Sequence, residues 1–327
     1  MFANHLDKRI CTPDVEKVPN REGYGAGLLE AGHIDPRVVA LCADLTESTR
    51  TNLFAEEFPE RFVQVGIAEQ NMASVASGMA ACGKVPFIAS YAMFSPGRSW
   101  EQVRTTIAYN NSNVKIIGAH AGVSVGPDGA THQAIEDIAL MRVIPNMVVI
   151  APSDVHEARK ATLAAASYNG PVYIRIARDK TPVVTTEASP FEIGKAYTVF
   201  HKDGTHEKNA GIIVTGTLVH NALEAAVALQ SRGIGVSVLH MPTIKPLDTQ
   251  ALDLFASEHE LIATVEEHQV AGGLGSAVAE YYAEHTPKRM VRIGVQDRFG
   301  QSGEPDELLA HYGMDAKSIV ESIARRI

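Results

Sequence analysis

Several residues have the type and spacing to do chemistry. The first is Glu69, in the stretch "QVGIAEQNMASVASGMAACGK" from Gln64 to Lys84. The stretch reads as a short strand, a turn at Gly66 and a helix of small and apolar residues, with Glu69 in its first turn. A carboxylate there gains about 0.3–1 kcal/mol from the helix dipole. Partly desolvated by the surrounding Ala, Val and Met, it can instead keep a proton and share it with a ligand nitrogen. The second candidate is "GPDGATHQ", in which Asp128 and His132 stand four apart. A helical turn would put both on one side. A metal site would need a third ligand, and none is near in sequence. A loop aiming both groups at a polyhydroxylated substrate fits better, and Asx-turn and capping chemistry is the plain alternative. The third is the aromatic set in "SYAMFSPGRSW", which either packs in a core or offers a platform for a planar heterocycle. "GLGSAV" lacks the last glycine of a dinucleotide fingerprint, so Gly272, Gly273 and Gly275 read as a strand-to-helix turn.

These residues sit in an alternation of strands and helices. "RVVALCADL", "RFVQVG", "VPFIASYA", "NVKIIGAHAG", "MVVIAPS" and "PVYIRIAR" read as strands. The Glu69 stretch, "SWEQVRTTIAYNN", "HQAIEDIALMRVI" and "SDVHEARKATLAAASYNG" read as helices, the last with Ser153 or Asp154 as N-cap and Glu157 completing a capping box. Such alternation predicts a mostly parallel sheet flanked by helices. The Pro-, Thr- and Ser-rich run at 181–192 reads as a linker, and a second α/β set follows. The fold class is therefore α/β with two domains, 1–186 and 187–327. In such sheets ligands bind beyond the carboxyl ends of the strands, where "ADLTEST", "VGIAEQN", "SYAMFSPGR", "AHAGVSVGPDGATHQ" and "RIARDK" all lie.

The 327 residues are 45% hydrophobic and 20% charged, which suits about two globular domains. A net charge of −9 without a basic stretch argues against a nucleic-acid partner. Three scattered cysteines do not make a disulfide framework. No secretory h-region and no membrane-length apolar run are visible, so a cytoplasmic, non-membrane protein is expected.

Taken together, "GIAEQNM", "SYAMFSPGRSWEQVR", "GAHAGVSVGPDGATHQAIED", "APSD", "YIRIAR" and "VEEHQVAGGLGSAV" resemble the transketolase family of thiamine diphosphate enzymes, from about Asn20 to the end. The resemblance covers the pyrimidine-binding and C-terminal domains. It implies that Glu69 hydrogen-bonds N1′ of the cofactor's aminopyrimidine and promotes the imino tautomer that removes the proton from C2. It implies that Phe94 stacks on the pyrimidine with Tyr91 nearby, and that Asp44 and Arg98 lie beside the cofactor. His132 and Asp128 would contact the sugar, and Arg21, Ser48, His120 and Arg178 would hold a substrate phosphate, a task to which two guanidinium forks are suited. The family's Gly-Asp-Gly…Asn set, which holds the diphosphate and Mg²⁺, is absent from this chain. The resemblance thus implies an N-terminal partner chain that carries this motif and the metal, with no metal ligand here, in an α₂β₂ assembly acting on sugar phosphates of the pentose phosphate type. Alternatives are the β subunit of a 2-oxo-acid dehydrogenase E1, a deoxyxylulose-phosphate-synthase-like subunit, or a non-catalytic binding protein.

Overall fold

The computed structural model describes residues 1–204 and 206–327. The first sheet has seven strands in the order Thr243–Lys245, Val148–Ile150, Val172–Arg175, Lys115–Ala119, Val85–Tyr91, Val38–Cys42 and Phe62–Gln64. All pairings in it are parallel except that of Thr243–Lys245 with Val148–Ile150. The central strands are buried along their length, as expected where helices cover both faces. The second sheet orders Arg289–Val295, Leu261–Gln269, Asn209–Val214, Gly235–His240 and Tyr197–Phe200, with only the last strand antiparallel. The expected architecture of two mostly parallel α/β layers is what the chain adopts.

The two sheets share apolar packing. One cluster joins Ile88, Ile116 and Tyr173 to Ile213, Leu239 and Leu274. Thr243–Lys245 leaves the second set to complete the first sheet. Leu6 and Ile10 pack with Ile212 and Leu223 of the second set. Helices Asn20–Ile34 and Val155–Ser167 lie against each other at glycine distance: a Cβ on Gly23 would stand 1.9 Å from the Val155 carbonyl oxygen.

Local expectations were met unevenly. Asp154 is the N-cap, accepting from Glu157 N, and Glu157 reaches back to Ser153 N. The strand-to-helix turn after Leu261–Gln269 forms as expected, with Gly272 at φ 84°. The run read as a linker is tied down. Lys180–Pro182 pairs with Lys17–Pro19, and the Asp154 carboxylate accepts from Val184 N, Thr185 N and the Thr185 hydroxyl. "SWEQVRTTIAYNN" is α-helical only over Trp100–Gln102 and continues as a π-helix over Val103–Ala108. There Thr105 and Thr106 donate to the carbonyls of Glu101 and Gln102, back-bonding that disturbs regular helix. The helix expected from His132 begins only at Asp137, because residues 132–134 are engaged in the preceding loop.

Candidate active site

Nearly all the residues singled out above meet at the carboxyl edge of the first sheet. Glu69 opens helix Glu69–Ala81, which follows strand Phe62–Gln64. It is only 2% exposed, although it stands in the first turn of a helix. The surroundings are less apolar than the sequence suggested, because Arg98 Nη1 donates to Glu69 Oε2 at 3.1 Å. Arg98 arrives from the turn after strand Val85–Tyr91, and its guanidinium also stands 5.0 Å from the centre of the Phe94 ring. A buried carboxylate, a guanidinium and an aromatic face are thus in one contiguous group.

The aromatic set extends inward. Tyr91 lies 6.1 Å from Phe94 and stacks on the His120 ring at 4.0 Å. His132 presents an edge to both Tyr91 and Phe94, at 6.3 and 5.6 Å between centroids. Tyr91 and Phe94 are half-buried at the strand end, with Tyr91 also packed against the core beneath. His120 ends strand Lys115–Ala119 in a left-handed conformation, φ 53°. Burial pushes its imidazolium down to about 3, assisted by Arg21, Arg178 and His132. It is a neutral ring among cations.

Arg21 sits in the first turn of Asn20–Ile34, which is pinned to the same edge because Asn20 Oδ1 accepts from Ala177 N at 2.9 Å. Arg21 Nη1 donates to the backbone oxygen of Ser48 at 2.9 Å. Ser48 therefore contributes its carbonyl to orienting Arg21. Burial, and then the repulsion of Arg50, hold Arg21 below the ordinary guanidinium value, and Arg178 adds to the repulsion. Arg178 follows strand Val172–Arg175, donates to the Val125 carbonyl and stands 3.7 Å from Asp128. Two buried nitrogens here, Arg21 Nε and His120 Nδ1, have no hydrogen-bond partner among the described residues. Guanidinium groups gathered against repulsion, with a buried donor unmatched, suit an anion.

Asp128 and His132 do not share a helical turn. Val123–Asp128 is a 3₁₀ stretch, and Gly129 at φ 75° turns the chain before His132. Both remain near the cluster, Asp128 through Arg178 and His132 through the aromatics. The Thr131 hydroxyl and His132 Nδ1 are 2.9 Å apart. Asp44, φ 60°, lies at the end of strand Val38–Cys42, where its amide donates to Gln64 Oε1 at 2.8 Å. Among the described residues its carboxylate makes no hydrogen bond or ion pair with the other candidates. No three His, Cys, Asp or Glu side chains converge on a common point among the described residues.

Three further polar residues lie beside the cluster. Arg50, in "TESTRTN", ion-pairs with Glu22 at 2.8 Å beside Arg21. Gln133 and Glu267 stand in "DGATHQ" and "VEEH". Both are buried against the loop that carries Asp128 and His132. Their signal was a polar side chain embedded in an apolar strand or next to a glycine-rich turn.

Known proteins match this arrangement. Residues 16–183 match the transketolase pyrimidine binding domain and residues 202–319 the transketolase C-terminal domain. The chain is 46% identical over 310 residues to the transketolase C-terminal section of Methanocaldococcus jannaschii, covering 94% of each. It is 36% identical to the transketolase of Rattus norvegicus over 310 residues, which are 94% of this chain and 49% of that enzyme. A solved structure described as a split-gene transketolase, an inactive β4 tetramer, superposes with a TM-score of 0.87 at 43% identity, over 94% of this chain and 98% of that one. With its sheet-edge cluster and both domain types in register, this chain belongs to the transketolase family.

Proposed function

We propose that this chain is the C-terminal subunit of a two-chain, thiamine-diphosphate-dependent transketolase that moves a two-carbon ketol unit between sugar phosphates. The observation that carries this reading is the continuity of the site. Glu69, Arg98 and Phe94 run through Tyr91 and His120 to the Arg21–Arg178 pair without a break.

The residues present suit the pyrimidine half of the cofactor, with a buried carboxylate beside an aromatic face. Thiamine diphosphate, when bound, supplies the electron sink for cleavage of the ketose C–C bond. Glu69 would hold a proton at the aminopyrimidine nitrogen, and Phe94 would stack on the ring. Arg98, half exposed and bonded to Glu69 Oε2, would keep the carboxylate oriented. His132 has its Nδ1 engaged by Thr131, which leaves Nε2 for a sugar hydroxyl or carbonyl. Because His120 is neutral, the phosphate charge falls to Arg21 and Arg178, and His120 serves as a hydrogen-bonding ring. A phosphate-binding set also favours this reading over a 2-oxo-acid E1 subunit, whose substrate has no phosphate.

The diphosphate and Mg²⁺ are assigned to a separate N-terminal chain bearing Gly-Asp-Gly, in a cytoplasmic α₂β₂ assembly. Two points support this. The match to the transketolase of Rattus norvegicus covers 49% of that enzyme, and the split-gene relative is described as inactive as a β4 tetramer. Titration calorimetry with thiamine diphosphate and Mg²⁺ tests the assignment. No tight binding is expected for this chain alone, and binding is expected once the N-terminal partner is added. Micromolar binding with ketol transfer by the isolated chain would overturn it.

A further inference from the structure

We propose that the second domain acts on the reaction by clamping the loop that carries Asp128 and His132, with Glu267 and Gln133 as positioning residues. The inference rests on the reading of Asp128 and His132 as sugar-contacting groups.

The loop runs from Gly122 to Ala134 and is closed at its neck, where Gly122 N donates to Ala134 O at 2.8 Å. Such compact loops hold their shape through what packs on and inside them. Asp128 and His132 are not buried, so their placement follows that of the backbone beneath them. Three points of that backbone are tied to the second domain, one directly and two through the first-domain side chains of Arg175 and Gln133. At the start, Ser124 N donates to Glu267 Oε1 at 2.6 Å, while the Thr217 hydroxyl donates to Glu267 Oε2 at 3.4 Å. At the neck, Arg175 Nη2 donates to both the Ala134 and the Glu267 carbonyls, at 3.3 and 2.8 Å. At the far end, Gln133 Nε2 donates to Val123 O and Gly126 O within the loop and to Gln301 O of the second domain, at 3.0, 3.2 and 2.9 Å.

The segment 300–303 lies directly on the loop. A Cβ on Gly129 would stand 2.7 Å from Ser302 Oγ, and one on Gly126 would stand 3.3 Å from Gly303 O. A Cβ on Gly300 would come 1.8 Å from Gln133 Oε1. Gln133 is 2% exposed and next to His132, so it cannot swing away without releasing its three acceptors. Gly300 is not in the left-handed region, so alanine there strains no backbone and acts only by displacing Gln133. A residue of the second domain thereby reaches His132 through one side chain.

The test uses the complete assembly with the N-terminal partner. Gly300→Ala and Gln133→Ala are made singly and together. Amide hydrogen exchange over 122–133 is measured beside KM and kcat for a phosphorylated donor–acceptor pair. Either single change should speed exchange in the loop by roughly tenfold or more and lower kcat/KM by roughly 10–100-fold, the usual scale for a misplaced group. The double variant should be no worse than Gln133→Ala, because both act through one contact. Glu267→Ala should behave alike, and Glu267→Gln, which keeps an acceptor for Ser124 N, should restore the wild-type values. Additive effects of Gly300→Ala and Gln133→Ala, unchanged exchange, or faster exchange with unchanged kinetics would each overturn the clamp. If wild-type assembly transferred no ketol unit, the functional reading would fall instead. The exchange cycle alone would then decide the clamp, with non-additivity sustaining it and additivity removing it.

Discussion

Replacing Arg21 with methionine should separate phosphate binding from folding. Among the described residues Arg21 makes one hydrogen bond, to Ser48 O, and its buried Nε has no partner. Burial and the neighbouring Arg50 and Arg178 all disfavour its charge in the folded chain. Removing that charge therefore relieves repulsion and loses one backbone contact, so the melting temperature should stay level or rise slightly. The phosphate loses far more. A hydrogen bond to a charged group contributes about 1.5–3 kcal/mol, which converts to a KM increase of roughly 10–100-fold for phosphorylated sugars. The KM of the wild type should also climb with ionic strength, and that of Arg21→Met should climb less. The assay is steady-state transfer by the assembled enzyme, run with phosphorylated sugars and with a non-phosphorylated donor such as hydroxypyruvate. The reasoning is refuted by equal losses on both substrate types. It is equally refuted by a fall in melting temperature of more than about 3 °C, on the order of 1 kcal/mol for a chain of this size, which would make Arg21 structural.

Three more outcomes are expected. Glu69→Gln should keep the fold, since an amide is tolerated at a helix start, and should slow C2 hydrogen–deuterium exchange of bound thiamine diphosphate by roughly 100-fold or more, read by NMR; a wild-type rate would exclude Glu69 from cofactor activation. His240 Nε2 lies 2.7 Å from Glu157 Oε2, both buried; burial alone would lower the imidazolium, but the carboxylate's charge and hydrogen bond outweigh it and raise it above its ordinary 6.5. The pair's stabilisation is therefore complete below pH 6.5 and declines as pH rises through the folded-state value. In denaturant melts from pH 6 to 9, His240→Asn should be destabilised by about 3 kcal/mol at pH 6 and lose that alkaline slope; an unchanged slope would show that another group titrates. Asp154→Ala removes a helix cap and the anchor for Val184 and Thr185, and should cost about 2–4 kcal/mol in the same melts; a loss under 1 kcal/mol would show that water replaces these bonds.

The layered architecture was legible because parallel strands buried on both faces leave apolar runs such as "VVALC" and "VPFIA". The site edge was legible because polar clusters such as "TEST" and "GPDGATHQ" follow the carboxyl ends of the strands. Side-chain partners across the edge were not. Nothing in local sequence says that Arg98 turns back onto Glu69, or that the aromatics of "SYAMFS" meet His120 and His132. These contacts join segments brought together by sheet order, which periodicity does not encode. The "DGATHQ" turn misled for a related reason. A spacing of four suggests a helix, yet Gly129 takes a left-handed turn in a loop that Gln133 braces from within and the segment 300–303 covers from outside. The run 181–192 looked like a linker by composition. Composition does not tell that Thr181 and Pro182 of this run edge a small sheet or that Thr185 meets Asp154.

Strand Thr243–Lys245 has a consequence for how the polypeptide is made. It closes the outer edge of the first sheet beside Val148–Ile150, yet it is synthesised only after most of the second domain's opening strands. On the ribosome, the first sheet must wait with a bare, apolar rim until residue 245 has emerged, a window in which two nascent chains could pair rim to rim. A gene fragment cut between the two family regions would carry that open rim permanently. Such a fragment should precipitate on expression.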